Sequence, residues 1–147
     1  MTLWVTRLHA WVYRRSGGRV LARMGGQPVL LLKTTGGRSG LPRTTPVQYL
    51  ADGDTFVVVA SNAGAARPPA WYFNLRADPH ARVRVGARSI DVRAHEASGQ
   101  ERAELWHRLT AANRYLKRAA RKAGRDLPLL ALVPLTPTAP RPSTDRS

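Results

Sequence analysis

A mainly β fold with flanking helices is what this chain predicts: an antiparallel sheet or barrel with helices packed outside it. Three observations point there. About six short runs are either continuously apolar or alternate apolar with polar, as strands do. Turn dipeptides, Asp52-Gly53 and Gly86-Ala87, fall between neighbouring runs. Helical patterns sit at the front, in one crossover and near the end, with no regular β-α-β alternation that would imply a parallel sheet.

The elements follow in order. Residues 3–15 read as an amphipathic helix, with Trp4, Leu8, Trp11 and Val12 at helical spacing and Arg7 and Arg14 off that stripe. Gly17 and Gly18 end it, and Arg19 to Met24 reads as a second short helical piece before Gly25 and Gly26. The period then changes. Pro28 to Leu32 is a continuous apolar run, a buried strand; 36–40 is a loop by composition. Thr44 to Leu50 and Phe56 to Ala60 are strands joined as a hairpin by Asp52-Gly53.

Pro68 and Pro69 exclude regular structure from 63–69, and Pro69 suits the entry to a short helix over 70–76. Asp78-Pro79 ends that helix. Ala81 to Val85 and Ser89 to Ala94 alternate as half-buried strands around Gly86-Ala87. Ser98 to about Ala123 reads as one long helix, with Ser98 and Glu101 spaced as a capping box and Leu105, Leu109, Ala112 and Leu116 as its apolar face. Leu127 to Leu135 is a last strand. The division that results is a helical segment over 1–26, a single β domain over 27–135, and a disordered Pro- and Thr-rich tail over 136–147.

Composition narrows the chemistry. A chain of 147 residues with 43% hydrophobic content supports one domain with a core. It contains no cysteine, which excludes disulfides, thiolate nucleophiles and Cys-ligated metals. Lys and Arg number 24 against 9 acidic residues, a formal charge of +15. Such a field attracts nucleic acid, an acidic membrane or a phosphorylated small molecule; an arginine-rich source genome explains the excess equally well. No segment supplies the ~20 apolar residues of a membrane span, and 2–24 lacks the pattern of a secretory signal.

The most informative stretch is Lys33-Thr34-Thr35-Gly36-Gly37-Arg38-Ser39-Gly40-Leu41-Pro42-Arg43-Thr44. Its glycines permit a tight turn with backbone N–H groups close to an anion, and Arg38 and Arg43 offer forked donors suited to phosphate. Two readings stay open, an anion cradle and a basic surface hairpin. The stretch matches neither a phosphate-binding GxxxxGK loop nor a GxGxxG dinucleotide fingerprint. A second stretch, Val59-Ala60-Ser61-Asn62 followed by Ala70-Trp71-Tyr72-Phe73-Asn74, makes a pocket wall in which Trp71 and Tyr72 border a flat ring, or else a piece of core.

No self-sufficient catalytic machinery is visible. His9, His80, His95 and His107 have no metal spacing, and no Gly-x-Ser-x-Gly elbow occurs. A pocket without such machinery points to a cofactor. Arg114, Arg118, Arg121 and Arg125, with Lys117 and Lys122, form a basic stripe, read first as a solvated helix face. Neither a zinc finger nor an RNP-like motif occurs, which argues against nucleic acid.

The run from Val29 through Arg43, with Val59-Ala60-Ser61-Asn62, Pro69-Ala70-Trp71-Tyr72-Phe73-Asn74-Leu75 and Ala77-Asp78-Pro79, resembles the deazaflavin (F420)-dependent nitroreductase and quinone reductase family over about residues 17–135. The resemblance implies a split β-barrel of the flavin-mononucleotide-binding type, coenzyme F420 as cofactor, and hydride transfer from the reduced coenzyme to a quinone, nitroaromatic or similar small-molecule acceptor. It implies coenzyme contacts from Gly37, Arg38, Ser39, Arg43, Thr44, Thr45, Pro46, Val47 and Gln48. Others would come from Val59, Ala60, Ser61 and Asn62, and from Ala70, Trp71, Tyr72, Phe73 and Asn74. Arg38 and Arg43 would hold its anionic groups.

The family loop often reads Gly-Arg-Lys before its hydroxyl residue; here one basic residue fewer is present. Where nitro-active members carry helix tyrosines, this chain reads Asn113-Arg114-Tyr115-Leu116, so Tyr115 stands as the catalytic candidate and the acceptor stays open. The alternatives are an FMN-binding barrel, or a non-catalytic basic module at a membrane or on nucleic acid. A cytoplasmic location follows from the family, with peripheral contact to an anionic membrane through residues 3–15.

Overall fold

The computed structural model describes residues 23–24, 27–37 and 39–135. The amphipathic helix expected over 3–15 and the tail expected over 136–147 lie outside the described residues. Eight strands and three α-helices occur among those described. They are β1 (Arg23–Met24), β2 (Gln27–Thr35), β3 (Pro42–Gln48), β4 (Leu50–Asp52), β5 (Thr55–Val59), α1 (Ala70–Ala77), β6 (His80–Val85), β7 (Arg88–Glu96), α2 (Gly99–Ala112), α3 (Tyr115–Ala123) and β8 (Leu129–Pro134).

All strand pairs are antiparallel. The sheet runs β1-β2-β6-β7-β8-β5-β4, and β3 pairs with β2 outside that order. This arrangement curls the sheet. Strand β3 lies against β2 and strand β4 against β5, yet only Tyr49 separates β3 from β4. The two ends of the order are therefore brought together, giving a split barrel. The Tyr49 N–H donates to Pro28 O (3.1 Å), and its ring meets Phe56 edge-on with centroids 5.3 Å apart, so the corner is held on both sides.

A hairpin forms at each turn dipeptide, but the first joins the short β4 to β5, whereas the strand expected over 44–50 breaks at Tyr49 and its residues 44–48 pair with β2 instead. Asp52 pairs with Thr55 and Val85 with Arg88, leaving two-residue loops whose first residues, Gly53 and Gly86, have φ of 64° and 61°. That backbone is the one two-residue hairpins require and glycine supplies without a Cβ clash.

Two hydrophobic clusters flank the sheet. Leu30, Leu32, Val58, Val83, Val92, Leu130 and Leu132 fill the barrel interior together with Trp71, Tyr72 and Leu75 of α1. Val57 and Leu129 point the other way and meet Leu105, Leu109 and Leu116 from α2 and α3. Adjacent residues Val57 and Val58 are both fully buried, on opposite faces, which is why β5 and β8 read as continuous apolar runs.

Four further expectations are corrected. Arg23 and Met24 form a strand paired with Gln27 and Pro28, where a short helix was expected over 19–24. The apolar run over 28–32 is only the centre of a strand that continues to Thr35 and into the hairpin with β3. Ser98 makes no side-chain cap, and the Glu101 carboxylate pairs with His95 Nε2 at 2.9 Å. The long helix expected over 98–123 is two helices. Asn113 is extended (φ −141°, ψ 100°), and its Oδ1 accepts the N–H of Tyr115 (3.0 Å), starting α3. The apolar spacing from Leu105 to Leu116 runs through the break without a phase change and conceals it.

Candidate functional site

The glycine-rich turn between β2 and β3 closes on itself. The Gly36 N–H donates to Leu41 O (2.7 Å), Gly40 N–H to Gly36 O (2.8 Å), and Leu41 N–H to Ser39 Oγ (3.1 Å). A Cβ on Gly36 would lie 2.9 Å from Ser39 Oγ and 3.2 Å from Leu41 O, so any side chain there would make the turn shift. The turn is also tied outward: Gly37 N–H donates to Asn74 Oδ1 (3.2 Å), and Asn74 Nδ2 donates to Thr34 Oγ1 (3.2 Å). Thr34 is 3% exposed, so this bridge enters the core. The N–H groups of Gly36, Gly37, Gly40 and Leu41 are engaged within the protein. Arg43 is exposed at the start of β3, and Arg38 lies outside the described residues.

Strand β3 leads from that turn to a cavity of about 600 Å³. Arg43 and Thr45 are two residues apart, ~7 Å along the strand and on one face. The cavity's lining comes from two groups of elements. Thr45, Pro46, Val47 and Gln48 of β3, Tyr49 and Leu50 at the corner, Val59, Ser61, Asn62 and Ala63 after β5, and Pro69, Ala70 and Trp71 at the start of α1 make the first. Leu109 and Ala112 of α2, Asn113, and Leu116 of α3 make the second. Its lining is mostly apolar, and its size lies within the range that takes an organic ring system.

The loop after β5 is unusually bent. Asn62 and Ala63 have φ of 48° and 55°, and Gly64 has 80°. A non-glycine residue in that region costs about 1–2 kcal/mol. Long side chains from the far end of α3 hold it. Arg125 donates through Nε and Nη2 to Ala65 O (3.3 and 3.1 Å) and through Nη2 to Ser61 O (3.5 Å); Lys122 Nζ reaches Ala63 O (3.5 Å). Asn62 Nδ2 donates to Arg67 O (2.9 Å). A Cβ on Gly64 would sit 3.0 Å from Lys122 Cδ, so glycine permits the close seat of the loop on α3. Arg125 is thus a clasp on the cavity loop and departs from the solvated stripe expected of it.

Of the residues expected from the sequence, Thr45, Pro46, Val47, Gln48, Val59, Ser61, Asn62, Ala70 and Trp71 meet at the cavity. Gly37, Ser39, Arg43 and Thr44 belong to the turn and the first half of β3 and do not line it. Ala60 and Tyr72 are buried in the barrel core. Tyr72 Oη donates to Glu96 Oε1 (2.9 Å), and burial, then that carboxylate, pushes its pKa above the ordinary value of 10.0. Phe73 faces solvent at 42% exposure with the Arg67 guanidinium over its ring, and Asn74 bridges to the turn. Tyr115 is 44% exposed and does not line the cavity.

Sequence reasoning missed Tyr49, Leu50, Leu109, Ala112, Asn113 and Leu116 as cavity residues. Asn113 carried the one available signal, as a helix-stopping and helix-starting residue inside an apolar stripe. Among the described residues no cluster of His, Asp and Glu is placed to hold a metal ion.

An antiparallel split barrel with an apolar cavity beside a basic turn defines a protein that seats a flat, partly anionic organic molecule. Comparison with known proteins agrees. Residues 4–134 match the sequence profile of the F420H(2)-dependent quinone reductases. An F420H(2)-dependent quinone reductase of Mycobacterium tuberculosis is 39% identical over 132 residues, covering 86% of this chain and 88% of that protein. A solved F420-H2 dependent reductase, FDR-A, superposes with a TM-score of 0.66 at 31% identity, over 71% of this chain and 93% of that one. A FAD-binding protein of Mesorhizobium loti shares the fold alone, with a TM-score of 0.52 at 15% identity over 74% of this chain and 79% of that one. The chain belongs to the F420H(2)-dependent quinone reductase family, oxidoreductases whose coenzyme is F420.

Proposed function

We propose that this enzyme reduces a quinone with F420H2, the coenzyme ring lying along the strand wall of the cavity and the quinone entering between that ring and the helix wall. One observation carries the reading. Thr45 to Gln48, Val59, Ser61 and Asn62, and Ala70 and Trp71, far apart in sequence, line one apolar cavity of about 600 Å³ together with Leu109, Ala112, Asn113 and Leu116 from the helices.

The residues fit the group. Val47, Val59, Pro46 and Trp71 offer apolar contact to a flat ring, while Thr45 and Ser61 add hydroxyls at its edge. Arg43 would meet the phosphate and carboxylates of the tail, and the turn before it is anchored through Asn74. Bound in its reduced form, the deazaflavin supplies a hydride. The protein's own part is to orient that ring, to exclude water with Leu109, Leu116 and Tyr49, and to keep the acceptor against it. None of the described cavity residues is a carboxylate or histidine.

Two finer points belong to the same reading. Nitroaromatics are a second acceptor class to be assayed. The enzyme works in the cytoplasm, and residues 3–15 would bring it to an anionic membrane surface where quinones reside.

Titration with oxidised F420 and, separately, FMN, followed by F420H2 oxidation with a soluble naphthoquinone, tests the proposal. Micromolar F420 binding with quinone turnover is expected. Preference for FMN would overturn the cofactor assignment and keep the barrel. Arg43→Ala is expected to weaken F420 binding about 10–100-fold, the loss of one charged hydrogen bond of about 1.5–3 kcal/mol, and an unchanged titration curve would remove Arg43 from the tail site.

A further inference from the structure

We infer that Asn113, at the break between α2 and α3, donates a hydrogen bond from its side-chain amide to a carbonyl oxygen of the quinone. The inference rests on the proposed division of the cavity between coenzyme and acceptor.

The amide's orientation is fixed by its chemistry. A backbone N–H can only donate, so the atom 3.0 Å from the Tyr115 nitrogen is Oδ1, and Nδ2 is the group left over. Nδ2 makes no hydrogen bond to another described residue. The single buried side-chain nitrogen or oxygen without a partner among those residues is Arg125 Nη1, so Asn113 Nδ2 opens onto accessible space. Asn113 lines the cavity, and its neighbours on the helix wall, Leu109, Ala112 and Leu116, are all apolar. That wall therefore offers one side-chain donor, held in place because its other half starts a helix. The break in the helix has a use under this reading: a continuous helix would leave no residue here with its side-chain oxygen tied to the backbone two positions on.

A quinone is the acceptor such a wall suits, a flat apolar ring with oxygens at its edge. Its reduction takes a hydride from F420H2, leaves negative charge on a carbonyl oxygen, and takes one proton from solvent to give the hydroquinone. Asn113 transfers no proton. It stabilises the charge that develops on the oxygen, as preorganised donors do in other sites.

Asn113→Asp and Asn113→Ser both keep an oxygen able to accept the Tyr115 N–H, so α3 retains its start, while the amide donor is removed; the Ser hydroxyl can donate, but it ends about one bond short of the Nδ2 position. For both, kcat/KM with naphthoquinone is expected to fall, by about 100-fold for Asp, whose charge also opposes the developing anion, with F420 dissociation constant and melting temperature unchanged. A readout without turnover accompanies it: the infrared C=O stretch of a 13C-labelled quinone bound with no reductant present. A downshifted carbonyl band in the wild type that returns to the free position in both variants is expected.

Wild-type turnover in Asn113→Asp, or an unmoved carbonyl band, would overturn the assignment. So would weakened F420 binding with quinone kinetics intact, which would put Asn113 on the coenzyme. A wild-type protein that binds no F420 but still shows the Asn113-dependent band would sink the coenzyme proposal and leave the quinone contact standing.

Discussion

Two glycine-containing loops touch the site, residues 36–41 between β2 and β3 and residues 61–65 after β5, and they keep their shapes by different means. The first is closed by its own backbone and by Ser39, within a span of six residues, and among the described residues its outward hydrogen bond is to Asn74. The second has three successive left-handed residues and is held from outside by Arg125 and Lys122, some sixty positions away. One is a local turn that presents charge. The other is a strained wall of the cavity, stable only while α3 is docked.

That difference is sharpest at Arg125. Arg125→Ala removes the donors to Ser61 O and Ala65 O, and is expected to cost about 2–3 kcal/mol in a denaturant melt, the upper range for bonds to a charged group. The same variant should bind F420 more weakly, since Ser61 and Asn62 lose their setting. A melt and a titration both like wild type would mean that the loop holds its shape alone, and the contrast between the loops would collapse.

Asn74→Ala tests the local loop's outward tie. Losing the bonds to Gly37 N–H and Thr34 Oγ1 is expected to cost about 1–2 kcal/mol. Hydrogen exchange should quicken at Gly37 while Gly36 and Gly40 stay protected by the turn's own bonds. Exchange quickening across all of 36–41 would show that the turn depends on α1 as the second loop depends on α3. Gly40→Ala is smaller, about 1 kcal/mol. Its φ of 71° disfavours a Cβ, but nothing lies within 4 Å of one, so backbone strain acts alone.

The same contrast explains what was legible in the sequence. Asp52-Gly53 and Gly86-Ala87 announce their hairpins because a two-residue loop needs its residue types locally. The 36–43 turn is legible for the same reason, and β3 carries it directly to Thr45–Gln48. Arg125 gave no such sign. In sequence it is one more arginine at helical spacing, and only the docking of α3 places its guanidinium against carbonyls from residues 61 and 65. Asn113 was hidden because the apolar spacing passes through it undisturbed, and Tyr49 because its role comes from the curl of the sheet. Tyr72 reads as a ring neighbour and Phe73 as a coenzyme contact, but the pitch of α1 sends one into the barrel and the other to solvent, leaving Ala70 and Trp71 on the cavity.

Helix α1 joins the two regions, with Trp71 in the cavity wall and Asn74 on the turn, and its seat on the sheet includes the Tyr72–Glu96 hydrogen bond. The pH dependence that this phenol confers is flat near neutral pH and becomes visible only in alkali. Burial and Glu96 raise the phenol's pKa in the folded state above 10.0, while the unfolded chain titrates near that value. Below pH 10 both states hold the proton and stability is flat with respect to this group. Above it the unfolded state releases its proton first, so stability falls as pH rises through the folded pKa. Unfolding free energies measured from pH 8 to 11 should therefore decline above 10 in the wild type and decline less in Tyr72→Phe. Parallel curves would mean that the phenol ionises as easily in the folded protein as in the unfolded chain. In that event the seat of α1 would rest on the packing of Trp71, Tyr72 and Leu75 in the barrel rather than on the bond to Glu96.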